Sequence, residues 1–261
     1  MFSMVAERLR NILVACVAIA GLAMPLLSGA AYAADIAVLS DGALRSALTE
    51  IAERFRRESE HKIHLTFGAG PALKGRIAAG EAAEILITRA ADTDDLTKQG
   101  KLSAEGQVAV ARVGIGLAIR EGVPVPDIAT PEALKDTLLR AESVVYTNLS
   151  SGIHFVKVAE RLGIAEDVKS KSTQLPNGGA VFDEVLKRNG RDIGIGPITQ
   201  IMDYESKGLR LVGPLPAPVQ SVTTFTAAVP TSAKAAEAAR EFIRFLQKPE
   251  SKAIFAAAGA S

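Results

Sequence analysis

The sequence predicts an α/β fold of two lobes, each a doubly wound sheet flanked by helices and joined to the other by two hinge crossings. Short apolar runs typical of strands alternate with longer amphipathic runs, which is the order of βαβ units. This order occurs twice, before and after a long apolar run at 108–119. Gly, Ser and Ala follow several of the strand-like runs, as expected where a parallel strand turns into a helix.

The first lobe opens with a strand at 36–39 and a helix at 44–58. Leu44, Leu48 and Ile51 recur at a spacing of three to four residues, which places them on one helical face. The next predicted elements are a strand at 62–66, a helix at 72–79, a strand at 85–88 and a short helix at 94–99.

The second lobe repeats the pattern after the long apolar run. Its predicted elements are a helix at 131–140, a strand at 144–147, a helix at 153–162 and a strand at 192–195. A last strand at 222–229 and a helix at 233–247, which Pro249 ends, return to the first lobe. We therefore expect lobe 1 at 34–112 plus 222–261 and lobe 2 at 113–221, with the proline-rich connector 214–218 before the second crossing.

The N-terminal residues are typical of an export signal. Two arginines precede an apolar stretch at 12–27, and an Ala-Tyr-Ala cleavage pattern follows it. A membrane anchor is the alternative, but Pro25 interrupts the stretch, which is shorter than the ~20 residues that a span requires. The sequence predicts a signal peptide at residues 1–33 and a periplasmic protein.

Composition limits the possible partners. Without the signal, which holds two of the 30 basic and one of the 29 acidic residues, the net charge is zero. Nucleic acid is not expected, because its binding requires a strongly basic face. Cys16 lies in the signal, and His61 and His64 would face opposite sides of a strand, so neither a disulfide nor a metal is predicted. We expect a monomer without a cofactor.

Four loops, at 40–43, 68–71, 150–152 and 194–197, each join a strand to a helix. Such loops present backbone N–H groups at a helix N-terminus, where the helix dipole also favours an anion. Because the carboxyl ends of the strands meet in a cleft, the loops predict a site for a small anionic ligand. The candidate loop residues are Ser40, Gly42, Ala43, Gly70, Pro71, Ser150, Ser151, Gly152, Gly196 and Pro197. The serines are equally suited to capping a helix.

Two cations are candidate ligand-binding residues. Arg89 ends the strand at 85–88, and its planar guanidinium matches a carboxylate or phosphate in bidentate fashion. Lys74 lies one turn into the helix that follows the second loop, after Gly70. A solvated surface position is the alternative for both residues.

Two residues are candidates for proton transfer, and only if the protein is an enzyme. His154 lies in the first turn after the third loop, and its imidazole titrates near neutral pH. Asp41 lies in the first loop, where a carboxylate repels an anion. It is therefore either a helix cap turned away from the ligand or a proton-transfer group with a raised pKa.

Several sequence blocks resemble the periplasmic molybdate-binding proteins over essentially all of the chain after the signal. They read SDGAL from Ser40, FGAGPALK from Phe67, AGEAAEI from Ala79 and SGI from Ser151. A later RLG from Arg161 and the C-terminal pairs FL and PE add to the likeness. The resemblance implies the type II periplasmic binding fold, whose two α/β lobes close on a ligand, and a membrane permease of an ABC transporter as partner.

The ligand positions depart from that family's pattern. Molybdate-binding proteins use serines in the first two loops and a tyrosine in the fourth. Here Ala43, Gly70 or Pro71, and Pro197 stand in those places, and Arg89 stands where a small neutral residue is usual. A roomier and cationic site fits a multiply charged carboxylate better than a compact oxyanion. The sequence therefore predicts carboxylate binding for ABC-type uptake.

The sequence also resembles the periplasmic aconitate isomerases, which use the same fold. That resemblance implies conversion of trans-aconitate to cis-aconitate by an allylic proton shift. Arg89 and Lys74 would then stabilise the carboxylates, and His154 or Asp41 would carry the proton. Receptor and isomerase both remain open at this point.

Overall fold

The computed structural model describes residues 33–261. The predicted signal peptide lies outside the described residues, except for its last position. The strands are β1 (Asp35–Asp41), β2 (Lys62–Gly68), β3 (Ile85–Arg89), β4 (Val108–Arg120), β5 (Ser143–Thr147), β6 (Ser172–Leu175), β7 (Asp192–Pro197), β8 (Leu209–Pro214) and β9 (Val222–Ala228).

Helices precede or follow nearly every strand. They are α1 (Arg45–Glu58), α2 (Gly70–Ala78), α3 (Ala90–Lys98), α4 (Pro131–Arg140), α5 (Ser150–Arg161), α6 (Ala165–Lys169), α7 (Gly178–Lys187), α8 (Ile198–Asp203), α9 (Ala236–Leu246) and α10 (Pro249–Ala257). Short 3-10 turns lie at Gly42–Leu44, Glu205–Lys207 and Ala217–Val219.

The strands form one curled sheet in the order β2-β1-β3-β9-β4-β7-β5-β6, with β8 also paired to β4. Strand β1 lies parallel to β2 and β3, and β5 lies parallel to β6 and β7. Strands β9 and β4 run antiparallel to their neighbours. The predicted α/β class is confirmed, because each parallel set needs helical crossovers.

Strand β4 connects two halves of this sheet. Its residues 108–114 pair with β9, beside β1, β2 and β3, and its residues 115–118 pair with β7, beside β5 and β6. We call these the first half and the second half. The lobe boundaries at 112/113 and 221/222 remain a prediction, although β4 and β9 are the strands on which they fall.

Each half has its own apolar core. In the first half the Phe55 ring of α1 meets the Phe242 and Phe245 rings of α9 edge-on, with centroids 5.0 and 5.1 Å apart. In the second half the Tyr146 ring of β5 lies 5.0 Å from that of Phe155 on α5. The C-terminal helices thus pack on the first half.

Within the described residues, no helix has both the length and the apolar character that a membrane span requires.

Some elements differ from the expected ones. Pro249 follows the end of α9, as expected, but it is also the first residue of α10. Proline fits the first turn of a helix, where its missing N–H is not needed. Strands β6 and β8 and helix α8 are too short to carry a clear periodic signal. Helix α7 was missed although its buried Val181, Phe182 and Val185 have helical spacing. The six residues of α8 matter most, because they reach the cleft described below.

The Gln220 side chain joins the two connections between the halves. Its Oε1 accepts hydrogen bonds from the N–H groups of Ile115 and Ser221 at 2.9 and 2.8 Å. Its Nε2 donates to the carbonyl oxygens of Ile115 and Leu215 at 2.9 and 3.3 Å. One amide therefore fixes β4, at the point where it changes partners, to the segment that enters β9.

We expect Gln220→Ala to lower the free energy of unfolding by about 1–3 kcal/mol, because it leaves part-buried backbone groups without partners. Urea unfolding measures this change. The control is Gln247→Ala, at an exposed position after α9. Equal midpoints for the two variants would contradict a structural role for the Gln220 amide.

Candidate functional site

A cleft of about 730 Å³ lies at the carboxyl ends of the parallel strands, between the two halves of the sheet. Its walls include the ends of β1, β2, β3, β5 and β7, as expected for open α/β sheets. The predicted site residues that line it are Asp41, Gly42, Ala43, Gly70, Pro71, Arg89, Ser150, Ser151 and Pro197. Their ligand contacts remain predictions.

Three other predicted residues serve packing and do not line the cleft. Ser40 is fully buried in β1, and its hydroxyl donates to the Asp41 carbonyl oxygen at 3.3 Å. A Cβ on Gly152 would lie 1.7 Å from the Thr147 carbonyl oxygen, and one on Gly196 would lie 2.7 Å from the Phe182 ring. These two glycines therefore allow helices to approach the sheet closely.

The two remaining candidates are engaged elsewhere. His154 Nε2 lies 2.8 Å from the Val219 carbonyl oxygen, which can only accept, so this nitrogen carries the proton and donates it. Lys74 Nζ donates to Asp95 at 2.5 Å and lies 4.0 Å from Asp92. The structure thus places the imidazole and this ammonium outside the cleft lining.

The cap interpretation of the serines is not realised in α5. Leu149 is the N-cap residue, and no side chain caps this helix. Ser151 is buried, with its hydroxyl 3.3 Å from that of Thr147, whereas Ser150 is exposed at the cleft. Ser150 therefore keeps a hydroxyl available to a ligand.

Asp41 caps a turn and faces the cleft at the same time. Its Oδ1 accepts a hydrogen bond from the Ala43 N–H at 3.0 Å, which caps the turn Gly42–Leu44. Burial raises the pKa of Asp41, and the Ala43 N–H, the Arg89 charge and the Gly70 N–H offset part of that rise. The carboxyl group thus occupies a backbone donor of the first loop.

Three polar groups converge beside Gly70. A Cβ at this position would lie 3.2 Å from Asp41 Oδ2, 3.3 Å from Arg89 Nε and 3.3 Å from Thr88 Oγ1. The Thr88 hydroxyl is fully buried and has no hydrogen-bond partner within residues 33–261. A side chain at this position would therefore crowd the carboxylate, the guanidinium and the Thr88 hydroxyl.

A buried carboxylate holds Arg89 in place. Arg89 Nε donates to Asp92 Oδ2 at 2.7 Å, and Nη2 lies at the same distance from that oxygen. Asp92 is 6% exposed, and its other oxygen faces Lys74. The ion pair with Asp92 orients the Arg89 guanidinium at the edge of the cleft. Within residues 33–261, no group accepts a hydrogen bond from Arg89 Nη1.

Sequence reasoning missed several residues that line the cleft, among them Arg45, Asn177, Gln200, Asp203, Tyr204 and Lys207. Burial raises the pKa of Asp203, and a hydrogen bond from Ser46 and the charges of Arg45 and Lys207 oppose the rise. Arg45 lies two residues after the first loop, so its position was a usable signal. Gln200, Asp203, Tyr204 and Lys207 lie in or beside short helical segments without clear periodicity.

Gln200 reaches across the cleft. Its Nε2 lies 3.3 Å from the position of a Cβ on Gly42, and its Oε1 lies 2.0 Å from that of a Cβ on Gly178. The amide therefore stands between a loop of the first half and the N-terminus of α7.

No group of three or more His, Cys, Asp and Glu suited to hold a metal occurs in the described part of the chain.

A sheet in two α/β halves with a cleft at the strand ends is an arrangement suited to hold a small solute. Residues 36–260 match the model of the family described as bacterial extracellular solute-binding protein. The chain belongs to this family, and the resemblance found in the sequence is confirmed.

Individual relatives agree with this family. The chain is 26% identical over 237 residues to an aconitate isomerase from a Pseudomonas species, and the match covers 88% of each sequence. The periplasmic molybdate-binding protein of Azotobacter vinelandii superposes with a TM-score of 0.74 at 16% identity, covering 87% of this chain and 98% of that one. PEB3 of Campylobacter jejuni with L-phospholactate bound has a TM-score of 0.68 at 17% identity, covering 87% and 99%. The structural likenesses establish the fold alone.

We expect Asp41→Asn to stabilise the protein relative to wild type by an amount that grows with pH. As the pH rises above the ordinary aspartate pKa of 3.8, Asp41 ionises in the unfolded chain before it does in the folded one. The folded wild type then binds more protons than the unfolded state and loses stability until its own raised pKa is passed. The variant has no such cost.

Urea unfolding of both proteins between pH 4 and pH 8 measures the difference. Asp94→Asn, at an exposed position on α3, is the matched control. A gap between Asp41→Asn and wild type that stays constant or shrinks as the pH rises would contradict the proposed burial of the Asp41 charge.

Proposed function

We propose that the protein binds a small, multiply charged carboxylate in the cleft and presents it to the permease of an ABC transporter. The observation that carries this proposal is Arg89, which Asp92 orients at the edge of the cleft. A guanidinium fixed on one side keeps its remaining N–H groups for a planar carboxylate. Because the Arg89 side chain is already ordered without a ligand, binding costs it little further conformational entropy.

Size supports a ligand larger than a compact oxyanion. The cleft volume of about 730 Å³ lies in the range of sites for organic ligands. PEB3, a structural neighbour, has been solved with L-phospholactate, an organic acid that carries two anionic groups. Ala43, Gly70, Pro71 and Pro197 line the cleft without hydroxyl groups. Ala43, Gly70 or Pro71, and Pro197 stand where the molybdate-binding pattern has serine or tyrosine.

Export to the periplasm as a monomer belongs to the same proposal. The family comprises bacterial extracellular proteins, and the N-terminal residues have the pattern of a signal peptide. A periplasmic receptor of this kind closes on its ligand and carries it to the membrane.

We expect citrate and trans-aconitate to raise the melting temperature of the protein and molybdate to leave it unchanged. Arg89→Gln should weaken binding of both acids by about tenfold or more, because a charge-assisted hydrogen-bond pair is lost. Calorimetric titration measures the affinities, and Arg57→Gln on the exposed side of α1 is the control. Stabilisation by molybdate but by neither acid would overturn the proposal.

Isomerisation of an aconitate is a second candidate function. Two observations favour it: the cleft contains a carboxyl group, Asp41, whose pKa burial raises, and a relative at 26% identity is an aconitate isomerase. A raised pKa makes the ionised carboxylate a stronger base near neutral pH. Arg89 lies beside it and would stabilise negative charge on a substrate carboxylate.

The reaction is balanced without a co-reactant. Asp41 would take a proton from the methylene carbon of trans-aconitate, so that this C–H bond breaks and its electron pair delocalises over the allyl system. The double bond shifts, and the proton returns to the other end to form the new C–H bond. The formal changes at the two carbons cancel, so the molecule as a whole is neither oxidised nor reduced.

We expect Asp41→Asn to abolish conversion of trans-aconitate to cis-aconitate while binding persists, because the amide keeps the shape but cannot take up the proton. Proton NMR in D₂O measures both conversion and deuterium uptake. Asp94→Asn is again the control. Full turnover in Asp41→Asn would remove Asp41 from the mechanism, and binding without turnover in wild type would leave the receptor function alone.

A further inference from the structure

We propose that Arg45 and Lys207 form a second carboxylate subsite in the cleft, so that the ligand carries at least two carboxylates and one of them binds between these two cations. This inference rests on the proposed function, because it concerns a further part of the same ligand. Both residues line the same cleft as Arg89.

Aromatic rings hold both cations. The Arg45 guanidinium carbon lies 4.3 Å from the centroid of the Phe67 ring, and Lys207 Nζ lies 3.9 Å from that of Tyr204. A ring face attracts a cation electrostatically but supplies no oxygen acceptor. The N–H groups that point away from the rings therefore remain available to an anion.

Neither cation has a carboxylate partner within 4.0 Å among residues 33–261. This contrasts with Arg54 and Arg56 on the same helix as Arg45, each of which pairs with a glutamate at 2.6 Å. Two cations that share a cleft without closer counter-ions provide a site to which an anion is attracted.

The cations of the cleft fall into two groups. The charge of Arg89 lowers the pKa of Asp41, whereas the charges of Arg45 and Lys207 lower that of Asp203. Arg89 thus lies near Asp41 of the first loop, and Arg45 and Lys207 lie near Asp203 at the end of α8. A ligand that uses both groups needs two separate anionic groups.

The second subsite joins the two halves of the sheet. Arg45 belongs to α1, which packs on the first half, and Lys207 to the turn after α8, which packs on the second. Helix α8, which leads into this turn, contacts the turn Gly42–Leu44 that leads into α1. A ligand carboxylate between Arg45 and Lys207 would add charge-assisted hydrogen bonds across the same boundary.

The ligand class follows from these positions. A short organic acid with two or three carboxylates can place one on Arg89 and another between Arg45 and Lys207. A monocarboxylate can occupy only one subsite, so it gains nothing from the other. Arg45 and Lys207 therefore determine selectivity for polycarboxylates over monocarboxylates.

Calorimetric titration of the purified protein with tricarballylate and with propionate tests the inference. Tricarballylate has three carboxylates and no double bond, so turnover cannot confuse the measurement. We expect Arg45→Gln and Lys207→Gln each to weaken tricarballylate binding by about tenfold. The controls Arg57→Gln and Lys252→Gln remove the same charge at exposed positions on α1 and α10, and we expect neither to change the affinity.

The possible outcomes distinguish failure of the second subsite from failure of the proposed carboxylate-binding function. The subsite alone would be overturned if the wild type binds tricarballylate and Arg45→Gln and Lys207→Gln weaken this binding no more than their control variants do. A wild type that binds neither tricarballylate nor any other carboxylate would overturn both. An equal loss of propionate and tricarballylate binding in the two variants would also contradict the subsite, because it would indicate general folding damage.

Discussion

The hydrogen bond from the Ala43 N–H to the Asp41 carboxyl group is the constraint on which the site depends. An anion-binding turn ordinarily leaves such a donor to its ligand, but here a side chain of the protein occupies it. Asp92 holds Arg89 nearby, and Gly70 leaves the space beside which the Asp41 and Arg89 side chains lie. The cleft is thereby arranged around an internal carboxylate, which raises the cost of binding a compact dianion at the same donor.

A buried carboxylate with a raised pKa lowers the stability of the folded protein near neutral pH. A purely structural cap would avoid this cost, because an uncharged asparagine or serine caps equally well. Arg89 and Asp92 form a similar arrangement, in which a buried acid restrains a cation at the cleft edge. Both features favour function over stability, as sites with preorganised charges commonly do.

Local sequence patterns were sufficient for the α/β class and for part of the site. Alternating periodicity predicts parallel strands, and the ends of such strands meet at one edge, so Asp41, Gly70 and Arg89 could be brought together without coordinates. His154 and Lys74 could not be placed, because their partners Val219 and Asp95 are distant in sequence. Lys207 was missed because it lies in a turn after a six-residue helix, which leaves too little periodicity to predict.

The central claim is that one polycarboxylate bridges two separate cation groups in a single cleft. A crystal structure of the protein with tricarballylate tests it most directly. We expect one carboxylate within hydrogen-bond distance of the Arg89 guanidinium and another between Arg45 and Lys207. A ligand that binds outside the cleft, or one that contacts a single cation group and extends its other carboxylates into solvent, would contradict it.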